Sequence, residues 1–303
     1  MSNPVMTQVA GEIDKYTPAA PNYYQAPSNQ APVPGQGTYT QNPYTQTPAG
    51  QQYYQSVAEP AQPIQPAQPM PAANRITMED VITKTGIMFV ALLVAAGIAW
   101  IMGAQSFGLA SAMVGIGAIV GLVLALINSF KREPSAPLTI GYSLAEGMFL
   151  GALSMMLEYI YPGIVIQAVI GTFAVFATTL ALYATGKVTY SSWMMKTVLI
   201  GLVGLIIYSV VSMLLVFTGV ISNPFGLDGI TILGVPLGAI VGVIAVFLGA
   251  VALISDFEVA KQAVSAGVPE KYAWRVAFGI MVTLVWLYTE ILRLLQIIRA
   301  FSD

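Results

Sequence analysis

The chain has 303 residues, 56% of them hydrophobic and only 9% charged, where soluble globular chains carry roughly 25% charged residues; with a mean hydropathy of +0.72 it reads as a membrane protein. A net charge of −2 with 12 Lys and Arg offers no basic field to hold nucleic acid. Cysteine and histidine are both absent, which excludes disulfides, Cys- or His-ligated metal, thiol catalysis, His-dependent nucleophile pairs and imidazole pH sensing, so any proton-linked behaviour must come from carboxylates.

Residues 1–74 repeat Pro, Gln, Tyr, Thr and Ala in stretches such as "APNYYQAP" and "AEPAQPIQPAQPMPAA". Few aliphatic residues are present to offset the entropy of ordering, so this stretch is expected to be a disordered tail with local polyproline geometry. Its tyrosines could be contact points for a partner. The start has no signal-peptide pattern, which gives the expectation of an untranslocated N-terminus. The folded domain is expected over 75–303 and opens at "RITMEDVITKTG". There Thr77 can cap a helix, and Asp80 puts its charge near the positive end of the helix dipole.

Apolar stretches long enough to cross about 30 Å of hydrocarbon fall at 85–104, 108–130, 138–157, 163–184, 196–219, 231–255 and 273–298. An all-α polytopic membrane protein of about seven transmembrane helices is therefore predicted. Segments such as "KREPSAP", "ATGKVTYSS" and "SNPFGLDG" carry the residues that end helices. Lys84, Lys131, Arg132, Lys187, Lys196, Lys261, Lys271 and Arg275 all belong to one side of this topology, while the connections at Gln105, Pro162 and Asn223 lack Lys and Arg. The positive-inside rule makes the basic side, and with it the tail, cytoplasmic.

Charged residues in or beside the spans are functional candidates, because a lone charge at mid-membrane costs at least about 3 kcal/mol. They are Glu146, Glu158, Asp256, Glu258, Glu290 and Arg293. Glu158, beside Tyr159 and Tyr161, reads as interfacial; Glu258 reads as a solvated edge that could pair with Lys261. Glu146 reads equally as a structural hydrogen-bonded carboxyl or as a pathway residue. Glu290 and Arg293 share a helix face three residues apart, either as an internal ion pair or as part of a site. There is no H-E-x-x-H, no G-x-S-x-G and no phosphate-cradling glycine loop, and an intramembrane aspartyl protease would need a second aspartate in another helix. Neither catalysis nor a cofactor is expected.

The order "LISDFEVAKQAV", "AGVPEKYAW", "LVWLYTEILRLLQII" resembles the Bax inhibitor family, also called the transmembrane Bax inhibitor motif family, with its bacterial YccA-like branch. "EGMFLGALSMMLEYIYPGIVIQAVIGTFAVFATTLALY" is similar to the family's third and fourth helices, and the likeness covers roughly 75–300. The resemblance implies seven helices with the last one central. It also implies that an acid ending the sixth helix, here Asp256, and one in the seventh, here Glu290 in place of the more usual aspartate, share a proton and gate a pH-dependent calcium leak. Two carboxyls in hydrogen-bonding reach cannot both ionise cheaply, and their oxygens suit transient calcium. Asp256 and Glu290 lie 34 positions apart (290 − 256). With a last helix starting near Ala273, Glu290 is about 25 Å along it, so the two meet only if that helix begins deeper or the sixth runs on past Ser255.

The leading expectation is thus a pH-sensitive calcium or cation leak through Asp256 and Glu290, with Glu146 and Arg293 as secondary candidates, in a plasma membrane. Its expected partners are the bilayer, protons and calcium. A rival reading, also from the resemblance, is a regulator that contacts a membrane-bound ATP-dependent protease through the tail. A permease for a small polar solute would want more polar helices.

Overall fold

The structure, a computed structural model, describes residues 74–188, 191–223 and 225–302. The expected tail lies outside the described residues except for Asn74. Seven helices follow: α1 (Met78–Gly103), α2 (Phe107–Phe130), α3 (Ala136–Ile160), α4 (Ile164–Ala184), α5 (Ser192–Phe217), α6 (Leu237–Ala266) and α7 (Ala273–Ala300). All seven are long and apolar enough to cross a membrane.

The start of α1 is closed on both sides. Thr77 Oγ1 accepts from the Asp80 amide at 3.1 Å, and an Asp80 carboxyl oxygen accepts from the Thr77 amide at 2.9 Å. This reciprocal cap satisfies donors that the first helical turn otherwise leaves open. Thr77→Ala is expected to weaken this turn by about 1 kcal/mol, seen as roughly fivefold faster hydrogen exchange at the first amides of α1. Unchanged exchange would show that the cap is redundant.

The seventh helix is the hub. It packs against α1, α3, α4 and α6, and its inward residues join three of the hydrophobic clusters. By contrast α5 leans on α6 and buries none of its described residues. A helix that is apolar all round and hardly buried by protein is suited to facing lipid.

Helices α1 and α5 begin seven and four residues before their expected spans (85 − 78 and 196 − 192), α3 runs three past its own, to Ile160 (160 − 157), and the sixth span differs at both ends. Residues 231–236 form a tight hairpin, Thr231–Ile232 (β1) against Val235–Pro236 (β2), with Leu233 and Gly234 both at positive φ. That turn geometry matches strand twist, and it delays the helix to Leu237. At the other end "DFEVAKQAVSA" has strong helix formers and continues α6 to Ala266, where Gly267 at φ +65 stops it. The apolar run ends near Ser255, but the helix does not.

Connections at one end of the bundle carry Lys131, Arg132, Lys187 and Lys271. Here Lys84 reaches Glu270 at 2.8 Å and Lys271 reaches Glu133 at 2.9 Å. The Lys271 ammonium, by hydrogen bond and by charge, holds the Glu133 carboxyl below its ordinary value near 4.5. Whatever stability this exposed pair gives is present above that ordinary value and fades as pH falls through the lowered one. Salt screens it.

Candidate functional site

Asp256 sits ten residues before the end of α6, about 15 Å in from the basic end. It is only 4% exposed. Thr283, ten residues into α7, is at the same depth, and its Oγ1 lies 2.6 Å from Asp256 Oδ2. This hydroxyl is the one hydrogen-bond partner of Asp256 among the described residues. Thr283 Oγ1 is also 3.2 Å from the Gly279 carbonyl. A hydroxyl has one hydrogen, so the arrangement serves two charge states. With Asp256 ionised, Thr283 donates to it. With Asp256 protonated, the acid can donate to Thr283, whose hydrogen turns to Gly279.

Glu290 is elsewhere. It lies seven residues beyond Thr283 on α7, about 10 Å further along, and is not hydrogen-bonded to Asp256. The longer α6 carries Asp256 inward as that meeting required, but α7 starts at Ala273, so Glu290 overshoots. Its Oε2 instead accepts from Arg293 Nε at 3.1 Å and Nη2 at 2.7 Å. Arg293 Nη1 donates to Asp228 Oδ2 at 2.9 Å, and Tyr208 on α5 donates to Asp228 Oδ1 at 2.7 Å. Asp228 comes from a 3-10 turn, Gly226–Gly229. The expected Glu290–Arg293 pair is therefore present as part of a carboxylate–guanidinium–carboxylate network, with Glu290 about 15 Å in from the end opposite the basic one.

Glu146, ten residues into α3, reaches the same depth as Asp256. It has no hydrogen-bond partner among the described residues. A Cβ on Gly121 of α2 would come within 2.6 Å of its Oε1, so the glycine leaves room for the carboxyl. Glu158 accepts from the amides of Gly163 and Val165 at 2.7 and 3.0 Å, which satisfies the start of α4. Glu258 is held by Tyr183 of α4 at 2.7 Å and by Gln262 at 2.9 Å; its hydrogen-bond partners are these and not Lys261. Arg275, 2% exposed, donates through Nη2 to the Lys131 carbonyl, where the negative end of the α2 dipole favours a cation.

Two cavities bracket these groups. One of about 510 Å³ lies among α1, α3, α4 and α7, its walls apolar except at places such as the Ser154–Tyr288 pair at 2.7 Å. The other, of about 550 Å³, is lined by Tyr208, Ser209, Ser212, Asp228, Glu290 and Arg293 with apolar neighbours. Asp256 lines neither. Among the described residues no group of three or more acidic side chains is arranged to hold a metal.

Seven membrane-length helices among the described residues, with α7 packed against four of the others and a carboxyl enclosed between α6 and α7, define a polytopic membrane protein with a buried acid within the bundle. The family model "Bax inhibitor 1 like" matches residues 20–300, and the chain belongs to that family. The match begins 55 residues before the 75–300 region that carries the visible likeness (75 − 20). No curated protein and no solved structure matches the chain.

Proposed function

We propose that the protein is a proton-controlled cation leak, calcium among its permeant ions, in a plasma membrane, with its basic end cytoplasmic. The observation that carries this reading is the enclosure of Asp256 within the bundle with, among the described residues, a single hydroxyl for a hydrogen-bond partner. A lone buried carboxylate is expensive, by several kcal/mol, so the site favours either a proton or an incoming cation. The Asp256–Thr283 bond joins α6 to α7 in either charge state; protonated, Asp256 carries no charge that needs solvation, and the bundle stays shut. Loss of the proton leaves a charge that is relieved by water or a cation entering between these helices. The single acid thus does the work that the family resemblance gave to an Asp256–Glu290 pair, and Glu146, at the same depth, is a secondary candidate. The charge asymmetry of the connections supports the orientation.

The test is calcium flux into liposomes holding the purified protein, from about pH 6 to 8. Wild-type flux is expected to rise with pH, by roughly tenfold if one group titrates. Asp256→Asn should make flux independent of pH, and Thr283→Val should displace the pH profile without removing it. No flux above empty liposomes at any pH sinks the leak and turns attention to the tail and a membrane-bound protease as its partner.

A further inference from the structure

The cavity between α5, the 226–229 turn and α7 is separate from Asp256, and the leak makes no use of it. We propose that it binds a small organic cation, an alkylammonium group, by one unbalanced carboxylate and the aromatic side chains in its lining.

Charge comes first. Asp228 and Glu290 line the cavity with Arg293, so two carboxylates and one guanidinium leave one negative charge. Arg293 is committed to both acids through three nitrogens, which leaves little for an anion to bind. Asp228 has both oxygens engaged, Oδ1 by Tyr208 and Oδ2 by Arg293. Glu290 Oε1 has no hydrogen-bond partner among the described residues. The uncompensated charge therefore concentrates on one oxygen.

That count also separates an organic cation from a metal. Calcium takes six to eight oxygens, and this cavity presents one unengaged carboxylate oxygen beside the hydroxyls of Ser209 and Ser212. Ser212 already accepts from the Leu227 amide at 3.0 Å. Most of the remaining wall is apolar or aromatic, with Tyr208, Phe217 and Phe225 among the lining residues. Aromatic faces attract desolvated ammonium groups, and methyl-bearing cations pack against them. At about 550 Å³ the volume lies within the range of small-molecule sites. Glu290 is about 15 Å from the end of α7.

An alkylammonium can arrive as a free solute or as the headgroup of a neighbouring lipid, and the experiment distinguishes these. Full-length protein in phosphatidylglycerol nanodiscs, which carry no ammonium headgroup, is titrated calorimetrically with tetramethylammonium chloride, with sodium acetate and calcium chloride as comparison ligands. Saturable heat is expected for tetramethylammonium and not for acetate. Glu290→Gln should weaken it by about tenfold or more. Phe225→Ala should weaken it about two- to fivefold, since Phe225 is the half-buried phenyl ring of the lining. Repeating the titration in phosphatidylcholine nanodiscs assigns the source: competition points to a lipid headgroup, and unchanged binding to a free solute. Absence of saturable heat overturns the proposal, as does an affinity indifferent to Glu290→Gln, or calcium binding tighter than tetramethylammonium with the same residue dependence. None of these readouts involves flux, so failure here leaves the leak untouched, and failure of the leak leaves this site standing.

Discussion

Gly151→Val is expected to separate α1 from α3 and to lose roughly 3 kcal/mol or more of stability. A Cβ at position 151 would stand 2.1 Å from the Ala96 carbonyl oxygen and 2.6 Å from its Cα; one turn earlier, a Cβ at 147 would stand 2.3 Å from the Leu92 carbonyl oxygen. These are backbone atoms, which cannot rotate out of the way as a flexible side-chain end can. The helix axes must move apart instead. In lipid there is little hydrophobic force between helices, so close backbone approach at small residues supplies much of their association. The loss spreads beyond one contact because Met88, Leu92, Tyr142 and Leu150 of this interface share a buried cluster with Phe278 and Met281 of α7. Gly97→Val is the matched control, since a Cβ there meets nothing within 4 Å. Thermal unfolding in detergent should fall far more for position 151 than for 97. Equal losses would show that helix propensity, not the interface, sets the effect.

Helix count and centrality were legible because both follow from long apolar runs and from the family likeness. Depth was not. The sixth span reads as ending at Ser255, since lipid-facing sequence stops where acid begins. A helix stops only where its backbone is interrupted, here at Gly267. Those eleven extra residues (266 − 255) carry Asp256 from the rim to mid-bundle. Thr283 carried no signal of its own: a threonine in an apolar helix is ordinary, and only the register of α6 against α7 gives it a carboxyl. Asp228 was missed for the opposite reason. It sits in "FGLDG", which reads rightly as a turn, and the signal was that this connection carries an acid and no base while Arg293 on α7 needs a second partner. Glu290 with Arg293 could be read directly from their three-residue spacing.

Arg293→Met should destabilise the protein by roughly 2–4 kcal/mol, somewhat below the 3–5 of a wholly buried pair because the Arg293 side chain keeps 29% of its exposure. The cause is not the loss of attraction alone. Removing the guanidinium leaves Asp228 and Glu290, 17% and 16% exposed, as two carboxylates around one cavity without a cation. Attraction and orphaned charge can be told apart. Adding Asp228→Asn and Glu290→Gln to Arg293→Met removes the charges while keeping similar volume, and this triple variant should recover most of the lost stability. Hydrogen exchange in the Gly226–Gly229 turn should accelerate in the single variant, because Arg293 is the ion-pair partner that ties Asp228 to α7. If the triple variant is no more stable than Arg293→Met, the guanidinium acts there by shape and hydrogen bonding. The network would then be a clasp for the turn, and its net charge would contribute little to holding the fold.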